Sequence, residues 1–258
     1  MAAPASIDIR QYEALAPHRV IEHDGVRVVF ATPNRPTLRR ADTLFTKEPD
    51  TIEWIAGFAP DDVLVDIGAN VGMYTIWAAK ARGVRVFAFE PEAQNYALLN
   101  RNIHANGLED RVQAFCVALS DAAGLGRLYL CELVAGGSCH SFGESVDHNN
   151  RPRSSPFSQG CVSATLDGLV ASGAVPVPTH IKLDVDGIEP KVVAGARATL
   201  ADRRVRSMLI EINTALDDHW DIVDTMVGLG FDYSQAQVES AQRKEGAFNG
   251  VGNYVFRR

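Results

Sequence analysis

Apolar and β-branched residues run together from Val63 to Ile67 and stop at a loop bounded by Gly68 and Gly72. Such a run predicts a strand buried on both faces. Met73, Ile76, Trp77 and Lys80 follow at helical spacing, and Gly83 ends that helix after Arg82. Val84 to Phe89 reads as the second strand, with Glu90 at its end. Pro91 then opens a helix carrying Tyr96, Leu99, Asn102 and Ile103, closed by Asn106-Gly107. Val112 to Leu119 predicts a third strand and Leu125 to Leu133 another. His180 to Val185 and Ser207 to Ile212 are the fourth and fifth strands of the sheet. Pro190 opens a helix that buries Val192, Val193, Ala196 and Leu200, and Asp217 to Val227 forms an amphipathic one. Late strands near Phe231–Tyr233 and Asn253–Phe256 complete an α/β fold, a mostly parallel sheet with helices on both faces.

Ahead of this unit, Arg19–His23 and Val26–Phe30 flank Asp24-Gly25. An Asp-Gly pair between apolar runs predicts a β-hairpin, because both turn residues need positive φ. Pro33-Asn34-Arg35-Pro36 reads as a turn-rich linker, and Pro49 opens a helix through Ile52, Ile55 and Phe58. Residues 1–51 are thus an N-terminal extension with a β-hairpin, and 52–258 the main domain. Residues 135–160 show little periodicity and are rich in Gly, Ser, Asn and Pro. A loop of that length is functional or disordered; the functional reading is a cover over the substrate offering His140, His148, Arg151 and Arg153, and the plain one makes them solvated loop residues. Cys161–Ala164 returns to strand, and Thr165-Leu166-Asp167 starts a short helix.

A strand, a glycine loop and a helix are how open α/β sheets meet an adenosine-containing ligand. Gly68 turns without a Cβ clash, and Asn70 tolerates positive φ. Glu90 lies 22 residues past Gly68, where an acid can accept hydrogen bonds from ribose hydroxyls; capping the next helix is its other role. A dinucleotide fingerprint, G-x-G-x-x-G, would place glycines where this chain has Gly68, Asn70 and Met73, so it fails at two of three positions. Asp66 before the turn would repel a pyrophosphate but suits an ammonium group. S-adenosyl-L-methionine has an ammonium, a sulfonium and a ribose, and no phosphate.

Four motifs occur in order: Asp66-Ile67-Gly68-Ala69-Asn70-Val71-Gly72; Phe89-Glu90-Pro91; Ala118-Leu119-Ser120-Asp121; and Ile181-Lys182-Leu183-Asp184-Val185-Asp186-Gly187-Ile188-Glu189. From about Lys47 onward the chain resembles the FkbM family of S-adenosylmethionine-dependent methyltransferases. The resemblance implies a Rossmann-like class I methyltransferase fold and methyl transfer to a hydroxyl of a sugar or polyketide-like small molecule. It implies a cofactor site at Asp66, Gly68, Asn70, Gly72, Glu90, Pro91, Ala118, Leu119 and Asp184, with Ala118 and Leu119 flanking adenine. Asp186 is a departure, since the family more often has Glu there.

Lys182, Asp184 and Asp186 share strand parity, and buried charges need partners. A structural reading pairs Lys182 with Asp184 or Glu211 and makes Asp186 and Glu189 helix-capping charges. The functional reading makes Asp184, Asp186, Glu189 and His140 the candidates for the base that takes the acceptor's proton. Asp184, Glu211 and Asn213 also stand at neighbouring strand ends, similar to metal-dependent catechol methyltransferases. Ile212 separates the last two, however, and Lys182 can neutralise the same acids, so no metal site is assigned.

Composition narrows the partners. The chain has 258 residues and a formal charge of 25 − 32 = −7, against a broad basic face for nucleic acid or anionic lipid. Cys116, Cys131, Cys139 and Cys161 form no C-x-x-C pair, which suits reduced thiols in a cytoplasmic protein, with Cys116 a core residue. Residues 1–8 lack a basic start and an apolar leader run, and no apolar stretch of about 18 residues predicts a membrane span. The rival readings are a nicotinamide-dependent oxidoreductase and a non-catalytic nucleotide-binding module. The sequence does not fix the acceptor.

Overall fold

A computed structural model describes residues 8–147, 149–246 and 248–258. The readings made on residues 1–7 and on His148 lie outside the described residues. Helix α1 (Ile9–Leu15) is held by a capping box between Asp8 and Gln11 and buries none of its side chains. Strands β1 (His18–His23) and β2 (Val26–Ala31) form the hairpin, with Asp24 and Gly25 both at positive φ. The stretch read as a linker is a helix start: Asn34 caps α2 (Arg35–Asp42), accepting from Thr37 N–H at 3.0 Å, and Pro36 fills its first turn. Helix α3 spans Pro49–Ala56.

The central unit follows in order: β3 (Val63–Ile67), α4 (Met73–Arg82), β4 (Arg85–Phe89), α5 (Ala93–Ala105) and β5 (Val112–Phe115). Then come β6 (Ala118–Leu119), β7 (Gly124–Leu130), β8 (Ser141–Phe142), β9 (Phe157–Ala164) and α6 (Leu166–Ala171). The chain returns to the sheet as β10 (His180–Leu183), followed by α7 (Glu189–Ala194), α8 (Arg197–Ala201) and β11 (Ser207–Asn213). Helix α9 (Asp217–Gly228), β12 (Asp232–Tyr233), α10 (Gln235–Ala241) and β13 (Val251–Arg257) end it.

The main sheet has the order β12-β13-β11-β10-β3-β4-β5, parallel from β11 to β5, with β13 antiparallel to both β11 and β12. The chain runs outward from β3 to β5, then crosses back to place β10 on the other side of β3. That reversal is where α/β sheets open a ligand crevice. Alternate strand residues feed two cores. Leu64, Val86 and Leu209 pack under α3, α4 and α5, while Val65, Ile67, Ile181 and Ile210 pack under α7 and α9. Full burial of each such side chain contributes about 1.5–3 kcal/mol. The hairpin shares the first core through Val28 and Phe30. Its backbone is stitched to α5: Ala31 N–H donates to Asn102 Oδ1 and Val29 N–H to Asn106 Oδ1, both at 2.8 Å.

Three expectations need correction. The third strand breaks: β5 stays in the main sheet, while β6 pairs with β9 in a separate sheet of order β6-β9-β7-β8. Cys116 therefore sits at the bend between them and is exposed, and Cys161 is the buried thiol. The helix after β10 also breaks, at Gly195, the C-cap of α7, where a Cβ would lie 2.1 Å from Ser120 O. Among the described residues, no helix is long and apolar enough to cross a membrane.

Candidate active site

The site is built where β3 and β10 end side by side, Ile67 opposite Leu183. Gly68 N–H and Ala69 N–H both donate to Phe89 O at 3.0 Å, which bends the chain toward β4. Gly68 has φ +81°, and a Cβ there would lie 1.8 Å from Asp184 O. Conformation and close approach both require glycine. Asn70, at φ +51°, donates its N–H to Glu90 Oε2 at 2.8 Å and its Nδ2 to Gly137 O at 2.7 Å. Glu90 Oε1 accepts Glu92 N–H at 2.9 Å. Burial pushes the Glu90 carboxyl up to about 7 against these backbone donors. Pro91 does not open α5; Glu92 caps it, accepting Asn95 N–H at 2.7 Å.

A cavity of about 60 Å³ lies over this loop. Phe89, Leu119, Leu128 and Phe142 supply apolar walls, and Glu90 and Asn95 supply polar ones. Of the sequence-predicted residues, Gly68, Asn70, Glu90, Pro91, Ala118, Leu119, His140, Asp184 and Asp186 line it. Asp66, Gly72 and Glu189 do not. Gly72 starts α4 at φ +86°, where a Cβ would lie 2.4 Å from Leu99. Asp66 is buried below the loop: Oδ2 accepts Thr75 Oγ1–H at 2.5 Å, and Oδ1 has no hydrogen-bond partner among the described residues. On the other side of the loop a smaller cavity shares Gly68, Asn70 and Asp184 and adds Arg40, Lys47, Tyr74 and Lys182.

Charges concentrate at the end of β10. Lys182 is 2% exposed, and its Nζ lies 3.3 Å from Asp184 Oδ2. Burial alone would lower its pKa, but Asp184, Asp66 and Glu48 more than offset that and raise it. Burial pushes Asp184 up, yet Lys182 and Lys47 hold it down at about 2. The ion pair of the structural reading is therefore present, with Asp184 as partner; Glu211 pairs with Arg243 at 3.0 Å instead. Asp186, at φ +59°, accepts Cys139 N–H at 2.7 Å, and its carboxyl is raised by burial and by Asp184. Glu189 is 1% exposed and accepts Val185 N–H at 3.1 Å and Gly187 N–H at 2.9 Å, so it braces the Asp184–Gly187 turn. Burial raises it to about 8. His219 accepts Asn213 N–H at Nδ1, which leaves the proton on Nε2, 3.7 Å from Glu189 Oε2.

Carboxylate oxygens of Asp184, Asp186 and Glu211 lie within 4.8 Å of one another, a set whose chemistry suits a hard cation. Asn213, grouped with them in the sequence reading, is directed elsewhere: its Nδ2 meets Asn149 Oδ1 at 3.1 Å and its Oδ1 accepts Ala215 N–H at 3.1 Å. Asp186 takes its place.

Ser138, His140 and Phe142, from the stretch read as a cover, line the cavity. His140 Nδ1 accepts Cys131 N–H at 3.3 Å, so the remaining proton is on Nε2. Burial, then Arg153 and Arg40, lower its pKa to about 4. A neutral ring with Nε2–H is a donor rather than a base. Arg153 bonds Cys139 O, and Arg151 is exposed. Sequence reasoning missed Asn95, whose Oδ1 accepts Gly136 N–H at 2.7 Å and whose Nδ2 donates to Gly137 O at 3.2 Å. Two glycine partners that far along the chain leave no local signal.

The methyltransferase FkbM domain model matches residues 66–233. The hexuronic acid methyltransferase AglP of Haloferax volcanii is 31% identical over 158 residues, 61% of this chain and 58% of that protein. The 31-O-demethyl-FK506 methyltransferase FkbM of Streptomyces tacrolimicus is 40% identical over 70 residues, 27% of this chain and 26% of that protein. The matched segment thus spans little more than half of the first relative and about a quarter of the second. A solved FkbM methyltransferase from Methylobacillus flagellatus superposes with a TM-score of 0.53 at 15% identity, over 78% of this chain and 44% of that one, and shares the fold. The motif order, the strand-order reversal at Gly68 and a family match over well over half the chain agree: this chain belongs to the FkbM family of methyltransferases.

Proposed function

We propose that the chain transfers a methyl group from S-adenosyl-L-methionine to a hydroxyl of a sugar or polyketide-like small molecule. One observation carries the reading: the loop of Gly68 and Asn70, with Glu90 behind it, faces the carboxylates of Asp184, Asp186 and Glu211 across the strand-order reversal. The names of the two relatives describe a hexuronic acid and 31-O-demethyl-FK506 as their substrates, which supports a hydroxylated small molecule here. Residues 1–51 are read as an extension on a methyltransferase unit of 52–258, with 135–160 as its cover.

The residues fit this cofactor. The apolar walls suit adenine, Glu90 suits ribose hydroxyls, and Arg40, Lys47 and Asp184 suit a zwitterion. When bound, S-adenosyl-L-methionine supplies an electrophilic methyl group on a sulfonium. The chain then has two tasks: to hold the acceptor in line, worth up to ~7–11 kcal/mol, and to take its proton, worth ~10²–10⁴-fold. Asp186 and Glu211, both with raised carboxyls, suit the second task. Asp184 is too acidic for it and serves to orient. Glu189 holds the turn, His140 keeps its Nε2 proton and is not the base, and Asp66 positions Lys182 and Thr75 from below. Ligand pockets commonly measure ~300–1,000 Å³. The cavity of about 60 Å³ is smaller than that, so its walls must move apart when a nucleoside enters.

Met73, buried at the first position of α4, stands where a dinucleotide site needs its third glycine. Titration calorimetry with S-adenosylhomocysteine and with NAD separates the two cofactors. S-adenosylhomocysteine is expected to bind with one-to-one stoichiometry and NAD not to bind; the reverse result refutes the proposal. Transfer of labelled methyl to a hydroxylated acceptor separates an enzyme from a silent nucleotide-binding module.

A further inference from the structure

Beyond the cofactor cleft, a groove of about 940 Å³ runs between α3 and α10 along β13. It joins the cleft at one corner. Glu211 lines the groove and also belongs to the three-carboxylate cluster, and Lys47 lines both the groove and the cavity beside Asp184. From Gly252 at that corner to Arg257 at the far end, five strand steps of ~3.4 Å give a length of about 17 Å. That exceeds one sugar ring.

The walls are polar and apolar in about equal measure, Trp54 and Tyr233 among them, and carry five carboxylates against three cations. Two of the cations already pair with an acid, and the third has an acid across the strand register. Lys47 Nζ lies 2.6 Å from Glu48, Arg243 lies 3.0 Å from Glu211, and Arg257 stands opposite Asp232 in the β12–β13 ladder. Asp50 and Glu53 on α3 have no ion pair among the described residues. Gln237 and Ser240 of α10 line the groove as well. Carboxylates and amides at this density accept hydrogen bonds from hydroxyl and ammonium groups and repel acids.

We propose that this groove seats the methyl acceptor, a neutral or amine-bearing glycoside longer than one sugar ring, with its reacting hydroxyl at the Glu211 end. The inference rests on the reading above. In the transfer the acceptor oxygen forms the new O–C bond and the S–C bond breaks with its electron pair left on sulfur. The hydroxyl proton passes to a carboxylate of the cluster.

The test uses the full chain, labelled S-adenosyl-L-methionine, and three probes: a neutral disaccharide glycoside, an amino-disaccharide glycoside and a uronate-containing disaccharide. The wild type is expected to prefer a neutral or amino probe by at least about tenfold over the uronate. Ser240→Trp, an exposed position on α10, should lower kcat/KM by about 50-fold or more while the Kd of S-adenosylhomocysteine stays within about twofold. Glu53→Arg should shift the preference toward the uronate, with folding of both variants checked by thermal melting. Equal turnover in Ser240→Trp overturns the proposal, as does preference for the uronate or no transfer to any neutral or amino probe by a protein that binds S-adenosylhomocysteine. Loss of a dimer in Ser240→Trp with transfer intact gives the groove to a second copy and also overturns it. Failure of the wild type to bind S-adenosylhomocysteine is a different result: it removes the reading on which the inference rests.

Discussion

Replacing Glu90 with Gln removes the charge from a carboxyl whose two oxygens each hold a backbone N–H, one from Asn70 at 2.8 Å and one from Glu92 at 2.9 Å. The amide keeps one acceptor and turns an NH₂ toward the other N–H, so the loop loses a hydrogen bond and gains a donor–donor contact. In the proposed cofactor site the ribose hydroxyls lose an ionised acceptor as well. A hydrogen bond to a charged group contributes ~1.5–3 kcal/mol, so affinity for S-adenosylhomocysteine should fall about tenfold to a hundredfold. The pH dependence sharpens the test. With the carboxyl at about 7, ionisation develops across neutrality, and wild-type affinity should rise with pH through that range. In Glu90→Gln the rise should disappear. Calorimetry at pH 6, 7 and 8, with thermal melting to confirm folding, reads both effects. A folded variant with unchanged affinity and an unchanged pH profile would falsify the ribose assignment.

Other outcomes follow from the same geometry. Gly68→Ala puts a methyl 1.8 Å from Asp184 O at φ +81°, and overpacking of ~1–3 kcal/mol plus backbone strain of ~1–3 kcal/mol should lower the melting temperature and abolish cofactor binding; a wild-type melt would contradict the β3–β10 approach. Lys182→Met leaves Asp66 and Asp184 without their counter-charge and should cost ~3–5 kcal/mol in urea denaturation, whereas a stabilised variant would show that the ion pair is dispensable. Glu90 at about 7 and Glu189 at about 8 are raised above the ordinary 4.5, so the folded chain holds protons that the unfolded chain releases. That contribution is complete below about pH 4.5 and is lost as pH climbs through 7 and 8. The urea midpoint should therefore drop between pH 6 and 8.5, less so in Glu189→Gln; a rising midpoint contradicts the assignment.

The parts of the fold legible in the sequence are those decided locally. Val63–Ile67, the Gly68–Gly72 loop and Met73–Arg82 form as read, because a buried strand, a positive-φ turn and a helix each leave a short-range pattern. The hairpin at Asp24-Gly25 is legible for the same reason. Features decided by distant partners were not. Val112–Leu119 is one apolar run, yet only pairing with β9 takes Ala118 and Leu119 out of the main sheet. Exposure of Cys116 follows from that bend. Asn34 and Glu92 carry ordinary capping signals that the neighbouring prolines obscured. Within the site, strand parity brought Lys182 and Asp184 together correctly. The roles of Asp66 and Glu189 depend on depth: both sit beneath the surface that the cavity exposes, and spacing along the chain does not encode depth.

The most direct test of the central claim is a crystal structure of the chain grown with S-adenosylhomocysteine. The account places its ribose at Glu90, its adenine between Phe89 and Leu119, and its sulfur toward Asp184, with residues 135–160 shifted to admit it. Density for the ligand in the α3–α10 groove, or at any place that leaves the Gly68–Gly72 loop uncontacted, would contradict the account.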